Sequence, residues 1–181
     1  MAGHADTVLA LPRFETPPRV LVVIAPYYGA VAKAQRAGAR AVLDRVGAAV
    51  EAVEVPGSLE IAPAIAIAHR QAEFDAYVGL GCVIRGATSH YDVVVGESAR
   101  GLTTLALAGA CLGNGIITVE TMAQAEERAD PARLNTAGGA AEAALHLLAL
   151  TRTLRKPPSG VGFRPGSVQH DAAGKAGPTV A

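Results

Sequence analysis

Apolar and polar positions along the chain follow two alternating rhythms. From Arg19 the run VLVVIA is continuous and rich in β-branched residues, the pattern of a strand covered on both faces, and Tyr28-Gly29 ends it. The period then changes. Val31, Ala34, Ala39, Val42, Leu43 and Val46 recur at helical spacing, with Lys33, Arg36, Arg40 and Asp44 between them and Gly47 as a C-terminal stop. The same unit follows again: VEAVEV at 50–55 predicts a strand, Pro56-Gly57 a turn, and Leu59 to Phe74 a helix capped by Ser58. A third strand, AYVGLGCVI, is expected over 76–84, then the loop RGATS and a long apolar helix from His90 to Ala110. GIITVE at 115–120 predicts the fourth strand. Thr121 and Gln124 have capping-box spacing for a short helix ending near Ala129, and an Ala- and Leu-rich stretch predicts a last helix over 136–155.

Strands alternating with helices of this length imply a parallel sheet covered on both faces. The expected fold class is α/β, a three-layer α/β/α sandwich with a four-stranded parallel sheet of flavodoxin-like type. Three segments follow from the pattern. Residues 1–18 carry Pro12, Pro17 and Pro18, which forbid regular helix and permit an extended N-terminal arm able to pair with a sheet edge. Residues 19–155 form the α/β domain. Residues 156–181, rich in Gly, Pro and polar residues without a period, read as a disordered C-terminal tail.

Composition narrows the partners. The chain has 181 residues, enough for one domain with tails. Half of them are apolar and only 18% are charged, below the roughly 25% of ordinary soluble domains. Burial against further copies of the chain is one remedy. Net charge is zero, so there is no basic footprint for nucleic acid and no polybasic patch for a membrane surface. No apolar run approaches the roughly 18 residues that cross a bilayer, and no export signal is read at the start. Two cysteines, Cys82 and Cys111, cannot make a disulfide framework and read as core thiols. The expectation is a cytoplasmic protein without a metal site.

In open parallel sheets, ligands bind beyond the carboxyl ends of the strands. The loops there hold Tyr27 and Tyr28, then Ser58, Leu59 and Glu60, then Gly86 to His90, then Glu120 and Thr121. The third is the most informative. Gly86 lets backbone approach a ligand, while Ala87, Thr88 and Ser89 present successive N–H groups and two hydroxyls where a helix begins, which suits an anion. Thr88 or Ser89 is equally suited to serve only as the helix cap, and on the loop alone both readings stand. His90 follows directly, and imidazole is the side chain that exchanges protons near neutral pH. His4, His69, His146 and His170 have no chemical neighbours in sequence. Tyr27 offers either a ring to stack on a flat heterocycle or a rim aromatic, and Glu60 complements a helix dipole. Arg128 is suited to phosphate by its planar fork, although its place in AEERAD favours a solvated charge.

Four separated segments together resemble the lumazine synthase family of riboflavin biosynthesis: APYYG at 25–29, VPGSLEI at 55–61, LGCVIRGATSHYD at 80–92, and GNGIITVETMAQAEERA at 113–129. The resemblance runs in order over about 19–155. It implies condensation of 5-amino-6-(D-ribitylamino)uracil with 3,4-dihydroxy-2-butanone 4-phosphate to 6,7-dimethyl-8-ribityllumazine, phosphate and water, with no cofactor or metal. Position by position, it gives Tyr27, Ser58, Leu59, Glu60, Cys82, Val83, Ile84 and Asn114 to the ribitylaminouracil. Ala87, Thr88 and Arg128 go to the butanone phosphate, and His90 to proton transfer. It further implies a homo-oligomer, a pentamer or a multiple of one, with small-molecule sites between subunits, so that Asn114 and Arg128 serve a neighbour's site.

Three departures accompany the resemblance. The family's Asn-Lys-Gly before the last helix reads Asn135-Thr136-Ala137, and an acidic position shortly after it is Gly139. Phe is replaced by Asn114 and by Leu59 at two substrate-facing positions. The missing lysine and the low charge motivate an alternative, a non-catalytic flavin-binding or shell-forming relative of the same fold, and an unrelated phosphate-binding α/β enzyme is a third reading.

Overall fold

The computed structural model describes residues 9–155. The expected C-terminal tail, His4 and His170 lie outside them. Four strands and five helices alternate: β1 (Arg19–Ile24), α1 (Gly29–Arg45), β2 (Ala49–Glu54), α2 (Ile61–Gln71), β3 (Ala76–Ile84), α3 (His90–Leu107), β4 (Leu112–Val119), α4 (Met122–Ala129) and α5 (Thr136–Arg155). All strand pairs are parallel, in the order β2-β1-β3-β4. This is the three-layer α/β/α arrangement of flavodoxin-like type.

The continuous apolar runs go to the centre of the sheet. In β1 every residue from Val20 to Ile24 is buried, because alternate side chains meet different helix layers. Val20, Val22 and Ile24 pack with Leu43 of α1 and Leu145 and Leu148 of α5. Leu21 and Val23 face the other way, onto Ile61 and Ile65 of α2 and Leu102 of α3. A third cluster joins Val31, Cys82, Ile117 and Val119 to Ala125 and Ala129 of α4. By contrast β2 lies at an edge and is exposed along nearly all its length. Glu51 and Glu54 on it pair with Arg19 (3.1 Å) and Arg36 (2.6 Å), and charge of this kind discourages pairing of the open edge with a further strand.

Glycine brings layers together where side chains would hold them apart. A Cβ on Gly113 of β4 would overlap the backbone carbonyl of Ala140, so α5 lies directly on the strand. Nearby, the fully buried Gln35 of α1 donates through Nε2 to the carbonyls of Gly81 (2.9 Å) and Gly115 (2.8 Å), tying the helix to β3 and β4. At the start of α5, Asn135 sits in the left-handed region (φ 43°) and its Oδ1 accepts from Gly138 N at 3.1 Å, which caps the helix. Gly47 has φ 67° and stops α1 as its sequence position predicts.

Several boundaries differ from the sequence expectation. Ser58 does not cap α2: Ser58–Glu60 form a 3-10 turn and the α-helix begins at Ile61, with no side-chain cap bond. The Ser58 side chain is buried and turned toward β3 instead. The same helix ends at Gln71, freeing Phe74 to pack edge-on against Tyr77 at 6.2 Å under the Arg19 guanidinium. α3 stops at Leu107 rather than Ala110, next to Gly109 with φ 104°. β4 starts at Leu112, earlier than its apolar run, because Leu112 pairs with Tyr77 at the foot of β3. The arm from 9 to 18 contains no strand; its Leu11 and Phe14 pack against the α1/α5 side of the core, and Arg152 lies over the Phe14 ring at 5.2 Å.

Both cysteines are free and buried. Burial pushes the Cys82 thiol up from 9.0 to about 11.

Two outcomes follow from this packing. Gly113→Ala forces α5 off β4 and is expected to cost roughly 1–3 kcal/mol, read as a lower urea midpoint; an unchanged midpoint contradicts the close approach. For Cys82, the raised pKa means its contribution to stability is complete below the ordinary 9.0 and is lost as pH rises through about 11. Alkylation located by peptide mass spectrometry is therefore expected to be slow at Cys82 in the native protein at neutral pH and fast in urea, and equal rates would refute the burial.

Candidate active site

The sheet order reverses between β1 and β3, and in such sheets the crevice beyond the carboxyl ends at the reversal is where ligands sit. A cleft of about 450 Å³ occupies that place. Its walls come from three strand ends. Tyr27 and Tyr28 follow β1, the turn Gly57–Glu60 follows β2, and the end of β3 supplies Cys82, Val83 and Ile84. The loop residues Gly86 and Thr88 and the first turn of α3, with His90 and Tyr91, close it.

Local sequence explains each wall. Pro26 ends β1 and leaves Tyr27 75% exposed, its ring meeting Tyr28 edge-on at 5.0 Å and 75°. One ring face of Tyr27 thus remains free for a flat ligand. Burial, with smaller contributions from nearby Cys82 and Tyr27, raises the Tyr28 phenol above its ordinary value, keeping it a hydrogen-bond donor. The turn after β2 leans directly on β3: a Cβ at Gly81 would stand 2.8 Å from Ser58 Oγ. Glycine at this position is what admits the Ser58–Glu60 turn into the wall. Glu60 is exposed and Leu59 half-buried.

The loop after β3 is exposed from Arg85 to Ser89. Ser89 already has helical dihedrals and its hydroxyl makes no capping bond. Thr88 Oγ1 accepts only a long bond, 3.4 Å, from His90 N. The start of this 18-residue helix is thus weakly capped by its own side chains, and the unsatisfied N–H groups of a helix N-terminus carry the equivalent of roughly half a positive charge. His90, at the first helical position, is exposed at the cleft. Such a surface can hold a phosphate while an imidazole beside it moves protons to and from a bound partner.

Tyr27, Ser58, Leu59, Glu60, Cys82, Val83, Ile84, Thr88 and His90 are brought together in this one cleft. Ala87 sits exposed in the same loop but outside the lining. Two expected residues are elsewhere. Asn114 lies in β4 opposite Gly79, exposed, with its Oδ1 accepting from Ile116 N at 3.0 Å. Arg128 is half-buried on α4, its Nη1 donating to Gln124 O at 3.3 Å. Thr121 Oγ1 accepts from Gln124 N at 3.3 Å, setting the start of that helix. Gly139, where an acidic group was expected by resemblance, has no atom within 4 Å of the place a Cβ would take, so packing does not require glycine there. Among the described residues no group of three or more His, Cys, Asp or Glu could hold a metal ion.

Tyr91 and Val94 have no assigned role in the sequence reading, which places Tyr28 only in a strand-end loop and Gly57 only in a turn, yet all four line the cleft. The signal for Tyr91 and Val94 was their place in the first turns of a helix already suspected of forming the site. Arg85 was also passed over, although it bonds both Asp92 (3.2 Å) and Glu120 (2.9 Å) and lies 4.0 Å from the Tyr91 ring centre.

The family model described as 6,7-dimethyl-8-ribityllumazine synthase matches residues 17–152. A protein of that name from Jannaschia sp. (strain CCS1) is 65% identical over 165 residues, covering 91% of this chain and 93% of its own length. The one from Methylorubrum extorquens (strain PA1) is 55% identical over 147 residues, with 78% and 85% covered. That from Novosphingobium aromaticivorans is 49% identical over 132 residues, with 73% and 95% covered. A match across nearly the whole folded region, in the order of the elements that build the cleft, leaves one assignment: the chain belongs to the 6,7-dimethyl-8-ribityllumazine synthase family.

Proposed function

We propose that this chain condenses 5-amino-6-(D-ribitylamino)uracil with 3,4-dihydroxy-2-butanone 4-phosphate, forming 6,7-dimethyl-8-ribityllumazine, phosphate and water. The observation that carries the reading is the meeting, in one cleft, of an open Tyr27 ring, the strand-end backbone of β3, and a helix N-terminus bearing His90. Tyr27 stacks on the pyrimidine, Ser58 to Glu60 meet the ribityl chain, and Cys82 to Ile84 bond the ring through their backbone. Ala87 and Thr88 hold the phosphate. The pyrimidine's 5-amino group attacks the ketone and a first water leaves as the imine forms; phosphate departs with its bonding electron pair, the resulting enol ketonises, and the ribityl-bearing amine attacks that carbonyl and closes the ring with loss of a second water. Each step moves a proton, which is the role given to His90. The helix N-terminus steadies the negative charge that grows on the departing phosphate.

Asn114 and Arg128 complete the site from a neighbouring copy, in a pentamer or a multiple of one. Support comes from α3. Of its 18 residues only Ser98 and Leu102 are buried, while Val93 and Leu107 are exposed. No helix of the described residues is long and apolar enough to cross a membrane. A cytoplasmic setting belongs to the same reading, supported by two buried cysteines that remain free thiols.

Light scattering is expected to give five times the 18.3 kDa chain or a multiple of that mass, and a monomer would overturn the shared site. Mixed with both substrates, the protein is expected to raise lumazine absorbance well above the spontaneous condensation; a rate equal to the protein-free one would favour the non-catalytic relative. Arg128→Ala is expected to raise KM for the butanone phosphate, by the loss of a contact worth roughly 1.5–3 kcal/mol, with little change for the pyrimidine. Equal changes in both would remove Arg128 from the phosphate site. His90→Ala should lower kcat by less than the roughly 10²- to 10⁴-fold of a general acid–base group, because proximity remains in the variant, and a wild-type kcat would exclude His90 from proton transfer.

A further inference from the structure

We infer that Arg85 is a positioning residue for the anion-binding loop: it ties the two ends of the loop together and offsets part of the charge of two carboxylates that would otherwise repel a phosphate more strongly. The inference rests on the reading of Ala87-Thr88 as the phosphate subsite. Arg85 is the first residue beyond β3, where its N–H donates to Val119 O at 2.9 Å and continues the ladder to β4. Its guanidinium then makes three contacts from one plane. Nε bonds the Glu120 carboxylate at the end of β4 (2.9 Å), Nη1 bonds Asp92 in the first turn of α3 (3.2 Å), and the plane lies 4.0 Å from the centre of the Tyr91 ring. Between Arg85 and Asp92 the chain runs Gly-Ala-Thr-Ser-His-Tyr. The Arg85–Asp92 bond therefore fastens the two ends of the segment that holds Thr88 and His90, a segment with few bonds of its own.

The second consequence is electrostatic. Asp92 and Glu120 put two negative charges at the ends of a loop meant for a doubly charged phosphate, and among the described residues only Arg85 pairs with both. These pairs are exposed, at 41%, 64% and 57% of the three side chains, so they contribute little to global stability. Their effect is on the local field and on the loop. Lysine cannot replace arginine fully here, because an ammonium has no planar fork to direct two bonds at the two carboxylates while its centre lies over the tyrosine ring.

The test uses the full chain with Arg85→Gln and Arg85→Lys, titrated calorimetrically with inorganic phosphate and assayed for KM with each substrate. For Arg85→Gln, the dissociation constant for phosphate and the KM for the butanone phosphate are expected to rise by about fivefold or more. The KM for the pyrimidine and the melting temperature should stay near wild type. Arg85→Lys is expected to fall between the two. Wild-type phosphate affinity in Arg85→Gln would overturn the inference. So would equal rises in both KM values with a lowered melting temperature, which is the mark of a merely structural residue. If the unmodified protein itself failed to bind phosphate, the phosphate-subsite reading would fall and the inference with it, so the two failures are distinguished by the wild-type titration.

Discussion

At Gly79, Gly81, Gly113 and Gly115, along the seam between β3 and β4, the molecule leaves no room for a Cβ. Gly113 leaves α5 resting on strand backbone, and Gly81 lets Ser58 and Ile61 press on the opposite face. From α1 the Gln35 amide bonds the carbonyls of Gly81 and Gly115. Three connections with different partners therefore converge on one short piece of sheet. The end of β3 is fixed as a result, and with it the backbone of Cys82 to Ile84 and the origin of the loop that follows. Chemistry that depends on placement to within fractions of an ångström needs such rigidity beneath it. The loop itself can then be short of internal bonds.

Much of this fold was legible in the sequence, for physical reasons that can be named. β3 runs over Ala76–Ile84 and α5 over Thr136–Arg155, the expected bounds, because each is a long apolar segment set off by residues with a clear local preference. Asp75 accepts the Arg19 N–H at 2.8 Å just before β3, and Asn135 caps α5. The start of α2 was misread because Ser58 has two uses for its side chain. A serine before a helix normally caps it, but here tertiary packing against Gly81 wins and the helix opens through a 3-10 turn. Alternating glycines in VGLGC and LGNGI are a sign of close backbone approach that periodicity alone does not reveal.

The site was legible only as far as local sequence reaches. Thr88 and His90 share a loop with the helix start, so their proximity follows from the chain itself. Tyr27 and Ser58 come into the same cleft because parallel strands place all their C-terminal ends on one side. Arg85 is different. Its partners stand at 92 and 120, and only the register that pairs Ile84 with Val119 puts Glu120 within reach. A contact fixed by sheet register has no signature in one sequence without its pairing.

Phosphate binding needs compensation, yet no Lys or Arg is among the described residues that line the cleft. Arg85, the nearest in sequence, is committed to two carboxylates. The helix N-terminus supplies a partial charge, roughly half a unit, against the nearly two units of a phosphate monoester at neutral pH. A single copy of the chain is therefore electrostatically incomplete for this substrate. Arg128 is not part of the lining of its own chain's cleft, and among the described residues its guanidinium bonds only a backbone carbonyl of its own helix, which leaves donors to spare. A neighbouring copy that brought Arg128 to the loop would supply the missing charge and cover the apolar length of α3 in the same event. On this reading assembly and catalysis depend on one contact surface, and loss of the oligomer would remove substrate binding before it unfolded the domain.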